Sequence, residues 1–220
     1  MRFFVPSAIP LAVLAIGVSA CGGAASGKPA VIQPGAPGQA SHAVTAAAAL
    51  AVPAATEADV KFMQGMIHHH AQALDMTELM DGRTNDPDMK KLGLRIHVSQ
   101  TDEIKMMQRW LQARGQDVPD PRTHHHMEDM PGMEHQVMMP GMLNEEEMAR
   151  LAAAKGPEFD RLFLEGMIKH HGGALVMVQD LFSTPGAGQQ SDIFAFASDV
   201  EADQKMEIDR MSAMLKERTK

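Results

Sequence analysis

Met66, His69 and His70 recur one repeat later as Met167, His170 and His171, each His-His pair lying three and four residues beyond its methionine. Thioether is a soft metal ligand and imidazole a borderline one, so this grouping makes metal binding the first chemistry to consider. The grouping belongs to a longer duplication. Residues 62–76 return as 163–177 with nine of fifteen positions identical, ending on Met76 and Met177, which marks one helical unit built twice.

A second cluster lies between the copies. His124, His125, His126, Met127, Met130, Met133, His135, Met138, Met139 and Met142 supply ten of the nineteen residues from 124 to 142, and Met-Pro-Gly-Met occurs twice. Proline and glycine rule out a long helix there, so these methionines have no regular apolar face to fill. Thioethers select Cu(I), with Ag(I) as its mimic, over zinc, magnesium or calcium, and the imidazoles extend the set to Cu(II). Cysteine would bind Cu(I) more tightly, but outside the cytoplasm it is consumed by disulfide formation.

The elements that position these residues read as helices throughout. Thr56 with Asp59 forms a capping pattern ahead of a helix that runs to Met80. Asp86-Pro87 opens a second helix, stopped at Arg114-Gly115. Asn144 with Glu145, Glu146 and Glu147 starts a short helix ending by Gly156. Pro157 opens another, to about Phe182, and Ser191-Asp192 caps the last. No stretch alternates as a strand must.

Phe62, Met66, His69, Ala73, Met76 and Met80 advance by four and three along one face, and Phe163, Met167, His170, Ala174, Met177 and Leu181 do the same, so both histidine pairs face inward. Each partner helix carries polar residues on its apolar stripe: Gln100 and Glu103 ahead of Met107, then Gln204 and Glu207 ahead of Met211. Buried imidazoles are costly unless hydrogen-bonded or ligated. A packed core with satisfied His-Glu pairs is the plainer account of the same residues. The expected fold is all-α: a four-helix bundle of two repeated hairpins (56–114 and 157–220), with a Met/His-rich loop and short helix over 115–156.

The N-terminus reads as an export leader, residues 1–20, with Arg2 as its charge, an apolar run, and Val18-Ser19-Ala20-Cys21 as a lipoprotein cleavage site. Cys21 is the only cysteine, so it is the lipid acceptor and no disulfide framework exists. The expected locations are the periplasmic side of an outer membrane or the outer face of the cytoplasmic membrane. Residues 21–55, rich in glycine, proline and alanine, read as a disordered tether to the folded domain, 56–220. With 28 acidic against 20 basic residues, the chain lacks the basic surface that nucleic acid requires.

Glu147-Met148-x-x-Leu151, Gly156-x-x-Phe159-Asp160-x-x-Phe163, Met167-Ile168-x-His170-His171-x-x-Ala174 with Met177, and the two Gln-x-x-Glu-Ile helices together resemble the bacterial domain-of-unknown-function family 305. That resemblance implies a ferritin-like four-helix bundle, often exported, with members that handle periplasmic copper. Carried over, it implicates Met66, His69, His70, Met76, Met167, His170, His171 and Met177 as metal ligands. The leading expectation is a copper-binding lipoprotein for buffering, chaperoning or resistance, with a copper-export or copper-oxidase partner.

A ferritin-type di-metal oxidoreductase is the alternative, with iron as its metal. It would need a carboxylate three residues before His69 and His170, where Met66 and Met167 stand instead. A third alternative is a metal-free interaction lipoprotein with a methionine-rich partner surface.

Overall fold

The computed structural model describes residues 31–33, 42–44, 54–121 and 138–218. Within the first compact unit, residues 1–51, strand β1 (Val31–Gln33) pairs antiparallel with β2 (His42–Val44), Val31 opposite Val44. The composition of the segment suggested no pairing; β-branched Val31, Ile32 and Val44 supply the local strand preference.

The second unit, residues 52–220, holds α1 (Glu57–Glu78), α2 (Pro87–Ala113), the short α3 (Glu145–Ala153), α4 (Pro157–Ser183) and α5 (Ser191–Arg218). Thr56 and Asp59 form the expected reciprocal capping box, and Asn144 and Glu147 form another at α3. At the end of α2, Gly115 takes φ 62°, its N–H bonds Gln112 O, and Gln116 N–H bonds Leu111 O. This is a Schellman termination, which requires the left-handed glycine. Three boundaries differ from the sequence reading: α1 ends at Glu78, two residues before Met80, and the other two are at α3 and α5. Helix α3 stops at Ala153, three residues before Gly156, and Ser191 is already helical, so it is not the cap residue of α5.

Two apolar clusters fill the bundle. One joins Phe62, Met66 and Ile67 of α1 to Ile104, Met107 and Trp110 of α2, Ala174, Val178 and Leu181 of α4, and Ile193, Phe196 and Val200 of α5. The other joins Met76 and Met80 of α1, Met89, Leu92 and Ile96 of α2, Phe159, Phe163 and Met167 of α4, and Met211 and Met214 of α5. Cluster membership fixes the directions: α2 and α4 run opposite to α1, and α5 runs with it. This is an all-α, ferritin-like four-helix bundle with one long crossover between its hairpins. Among the described residues, no helix is long and apolar enough to cross a membrane.

Candidate metal centre

The residues that separate the two apolar clusters are polar on all four long helices. His69 and His70 on α1, Gln100 and Glu103 on α2, His170 and His171 on α4, and Gln204 and Glu207 on α5 form one layer across the bundle. All four histidines are fully buried, and Gln100, Gln204 and Glu207 nearly so. The imidazoles stand in a file. Ring centres are 6.4 Å apart between His70 and His69, 3.9 Å between His69 and His170, and 6.2 Å between His170 and His171. A carboxylate closes each end.

Each imidazole is held through Nε2, and each partner is an oxygen. His70 donates to Glu103 Oε2 at 2.5 Å and His171 to Glu207 Oε2 at 2.7 Å. His170 donates to the main-chain oxygen of His69 at 2.9 Å, and His69 to that of Pro140 at 3.0 Å. Carbonyls and carboxylates only accept, so in the neutral ring Nε2 carries the proton and Nδ1 keeps its lone pair. Among the described residues, no group hydrogen-bonds to any of the four Nδ1 atoms. The arrangement therefore holds four buried nitrogen donors, oriented by oxygens behind them, as metal-binding histidines are.

Other groups in the layer share this pattern. Both amide atoms of Gln100, and Oε1 of Gln204, are buried without a hydrogen-bond partner among the described residues. Such atoms cost about 1–3 kcal/mol each when unsatisfied, and they fit a polar guest or an ion. Behind the layer, Ser99 Oγ donates to Glu103 Oε1 at 3.2 Å, and Arg95 Nε lies 3.4 Å from Glu207 Oε1. Burial, then the carboxylates of Glu103 and Glu207, raise the carboxyl pKa of Asp203.

Burial lowers the pKa of His69 from 6.5 to about 3, with His70 adding to the shift, and burial drives His170 in the same direction. Both rings are therefore neutral, the form that binds metal. Below pH 6.5 the unfolded chain takes a proton at His69 that the folded chain refuses, so stability falls as pH drops toward about 3. For His69 alone the metal-free protein should be about 2 kcal/mol less stable at pH 5 than at pH 7, with His170 adding loss of the same sign. Urea midpoints at the two pH values test this. Equal midpoints would mean that the rings are not held neutral.

The end of the inter-repeat loop is part of this site. Gln72 donates from Nε2 to Leu143 O at 2.8 Å and accepts from Leu143 N at 2.7 Å, clamping the strap 138–143 to α1. Across the strap, Gly141 (φ 76°) lies on α4 so closely that a Cβ on Gly173 would fall 1.8 Å from Pro140 O. Met142 and Leu143 are buried, Met139 is half-buried and Met138 is half exposed. Met142 thus has the packing role that the loop methionines were not expected to have.

The structure gathers only part of the expected ligand set. The four histidines line up in one file, while Met66 and Met107 lie in one apolar cluster and Met76, Met167 and Met211 in the other. The repeated glycines receive methionine methyls crosswise: Met177 Cε lies 3.4 Å from a Cβ position on Gly65, and Met76 Cε lies 3.2 Å from one on Gly166. Met139 Sδ also reaches Gly65, at 3.5 Å, bringing a loop thioether beside Met177. Cys21, His124, His125, His126, Met127, Met130, Met133 and His135 lie outside the described residues. Sequence reasoning missed Gln72, Pro140, Arg95 and Ser99. Of these, only Gln72, a polar residue next to an inward position, carried a signal.

A sequence model of DUF305, a domain of unknown function, matches residues 59–215. The crystal structure of a DUF305 fragment from Deinococcus radiodurans is 30% identical, with TM-score 0.62, over 75% of this chain and 99% of that one. CopM in its Cu(II)-bound form is 29% identical, with TM-score 0.56, over 72% of this chain and 96% of that one; CopM structures with Cu(I) and with Ag bound are similar as well. An uncharacterized protein, L153, of Acanthamoeba polyphaga mimivirus is 39% identical over 56 residues, which are 26% of this chain and 37% of that protein's length.

Proposed function

The chain belongs to the DUF305 family, and from that premise we propose that it is an exported, lipid-anchored protein that binds copper as cargo, for buffering, delivery or resistance. The observation that carries the reading is the file of four buried imidazoles, each fixed through Nε2 and each keeping a bare Nδ1. Imidazole nitrogen in a layer flanked by buried methionines suits Cu(I) and tolerates Cu(II). CopM, similar over most of this bundle, is known with Cu(I), Cu(II) and Ag bound, which supports the same metal class here. The Met/His loop would capture the metal, and the layer would hold it for a copper-export or copper-oxidase partner. Export and the lipid at Cys21 rest on the leader sequence.

A hard di-metal centre draws less support. Glu103 and Glu207, the two carboxylates hydrogen-bonded to the file, are each committed to a histidine. Among the described residues, no three His, Cys, Asp or Glu side chains are grouped closely enough to hold one ion. Copper in the layer would therefore draw on fewer ligands per ion, which a soft monovalent ion accepts and hard iron does not.

Anaerobic titration with Cu(I) against a chromogenic chelator tests the reading, with several equivalents bound at sub-micromolar affinity as the expected result. No competition for Cu(I) would refute it. Removing residues 124–137, which spares the docked strap, should lower the stoichiometry and leave the helical signal in circular dichroism intact. Unchanged stoichiometry would take the loop out of the mechanism.

A further inference from the structure

Beyond the histidine layer, at the turn joining α1 to α2, Thr77, Met80, Asp81, Lys90, Gly93 and His97 line a cavity of about 320 Å³. Thr77 Oγ1 donates its one proton to Leu74 O at 2.8 Å, so the 3.0 Å contact between Thr77 Oγ1 and His97 Nδ1 requires that nitrogen to be the donor. The neutral ring then carries its lone pair on Nε2. Met80 Sδ lies only 2.0 Å from where a Cβ on Gly93 would stand, so the thioether occupies space that only glycine leaves free.

The duplication provides an internal comparison. The first helices of the two hairpins are offset by 101 residues (Phe62 to Phe163) and the second helices by 104 (Ile96 to Val200). At the equivalent places the second hairpin has Val178 for Thr77, Leu181 for Met80, Ala197 for Gly93 and Glu201 for His97. Val178, Leu181 and Ala197 are buried there as ordinary core. The fold therefore does not demand the donor set; the first hairpin alone carries it. The histidine layer, by contrast, is present in both.

We propose that this cavity is a separate site for one Cu(I) or Ag(I) ion, held by His97 Nε2 and Met80 Sδ with the Asp81 carboxylate at the rim. One nitrogen and one sulfur satisfy a soft monovalent ion, which needs few ligands. Lys90 shares the rim, and its ammonium makes a second positive charge unwelcome, which favours a monovalent ion over a divalent one. The site rests on its own residues and not on the histidine layer.

The test is stepwise addition of Ag(I) to the full chain carrying 13C-labelled methionine methyls and 15N-labelled histidine. The Met80 methyl and the His97 Nε2 resonance should shift together. Met80→Leu, which installs the residue the second hairpin uses, and His97→Gln, which keeps a donor for Thr77, should each lower Ag(I) stoichiometry by one equivalent. Circular dichroism of both variants verifies the fold. If Met80 and His97 stay unmoved while other methionine or histidine signals shift, this site is overturned and the copper-binding reading stands. If no signal shifts at all, both are overturned.

Discussion

Replacing His171 with alanine should destabilise the metal-free bundle by about 3–5 kcal/mol, the usual cost of leaving a buried charge without its partner. Glu207 is 5% exposed in its side chain, and without His171 its remaining ion pair among the described residues is with Arg95 at 3.4 Å, a side chain 44% exposed. The duplicate offers the control. His70→Ala strips a partner from Glu103, which is 18% exposed and still accepts from Ser99, so the loss there should be smaller. Glu207→Gln keeps an oxygen that can accept from His171 and should cost about 1 kcal/mol. Urea unfolding of the three variants separates the cases. Equal losses for His171→Ala and His70→Ala would show that burial of the carboxylate is not what sets the cost. A Glu207→Gln loss as large as that of His171→Ala would show that the charge itself is indispensable.

Two adjacent glycines should respond with opposite signs. Gly172→Ala meets nothing within 4 Å and gains helix propensity, so it should stabilise α4 by about 0.5–1 kcal/mol. Gly173→Ala drives a methyl into the Pro140 carbonyl, where main chain and not a flexible side-chain tip must yield. The expected loss is about 1–3 kcal/mol, as for other overpacked sites, with the strap lifted from α4. Lifting it also removes the acceptor of His69 Nε2–H, so the His69 ring resonances should change although residue 173 is on another helix. If Gly173→Ala stabilises as Gly172→Ala does, the strap is not seated on α4 in solution.

Much of this was legible in the sequence because it is periodic or local. Capping at Thr56 and Asp59, termination at Gly115 and the inward face of His69, His70, His170 and His171 follow from spacing within one helix. The polar positions Gln100, Glu103, Gln204 and Glu207 were legible because they repeat. What spacing cannot carry is the identity of a partner distant along the chain. His69 finds a main-chain oxygen at Pro140, 71 residues away, and Gln72 finds Leu143 at the same separation; neither acceptor has a side-chain signature. The tautomer of each histidine depends on those partners, so the free nitrogen was hidden too. The distribution of the methionines between two apolar clusters was equally unreadable, since the helical stripe has no break at the layer.

The Gln72 clamp on Leu143 has a kinetic consequence. It fixes the downstream end of a span whose upstream end is fixed by α2, with residues 122–137 between. Sixteen residues reach at most roughly 55 Å, so chain length alone bounds how far a donor there can be from the two fixed ends. A metal carried there meets the layer at an effective concentration on the order of millimolar, whatever the amount of protein in the compartment. Dilution would slow capture from outside and leave the internal hand-over at the same rate.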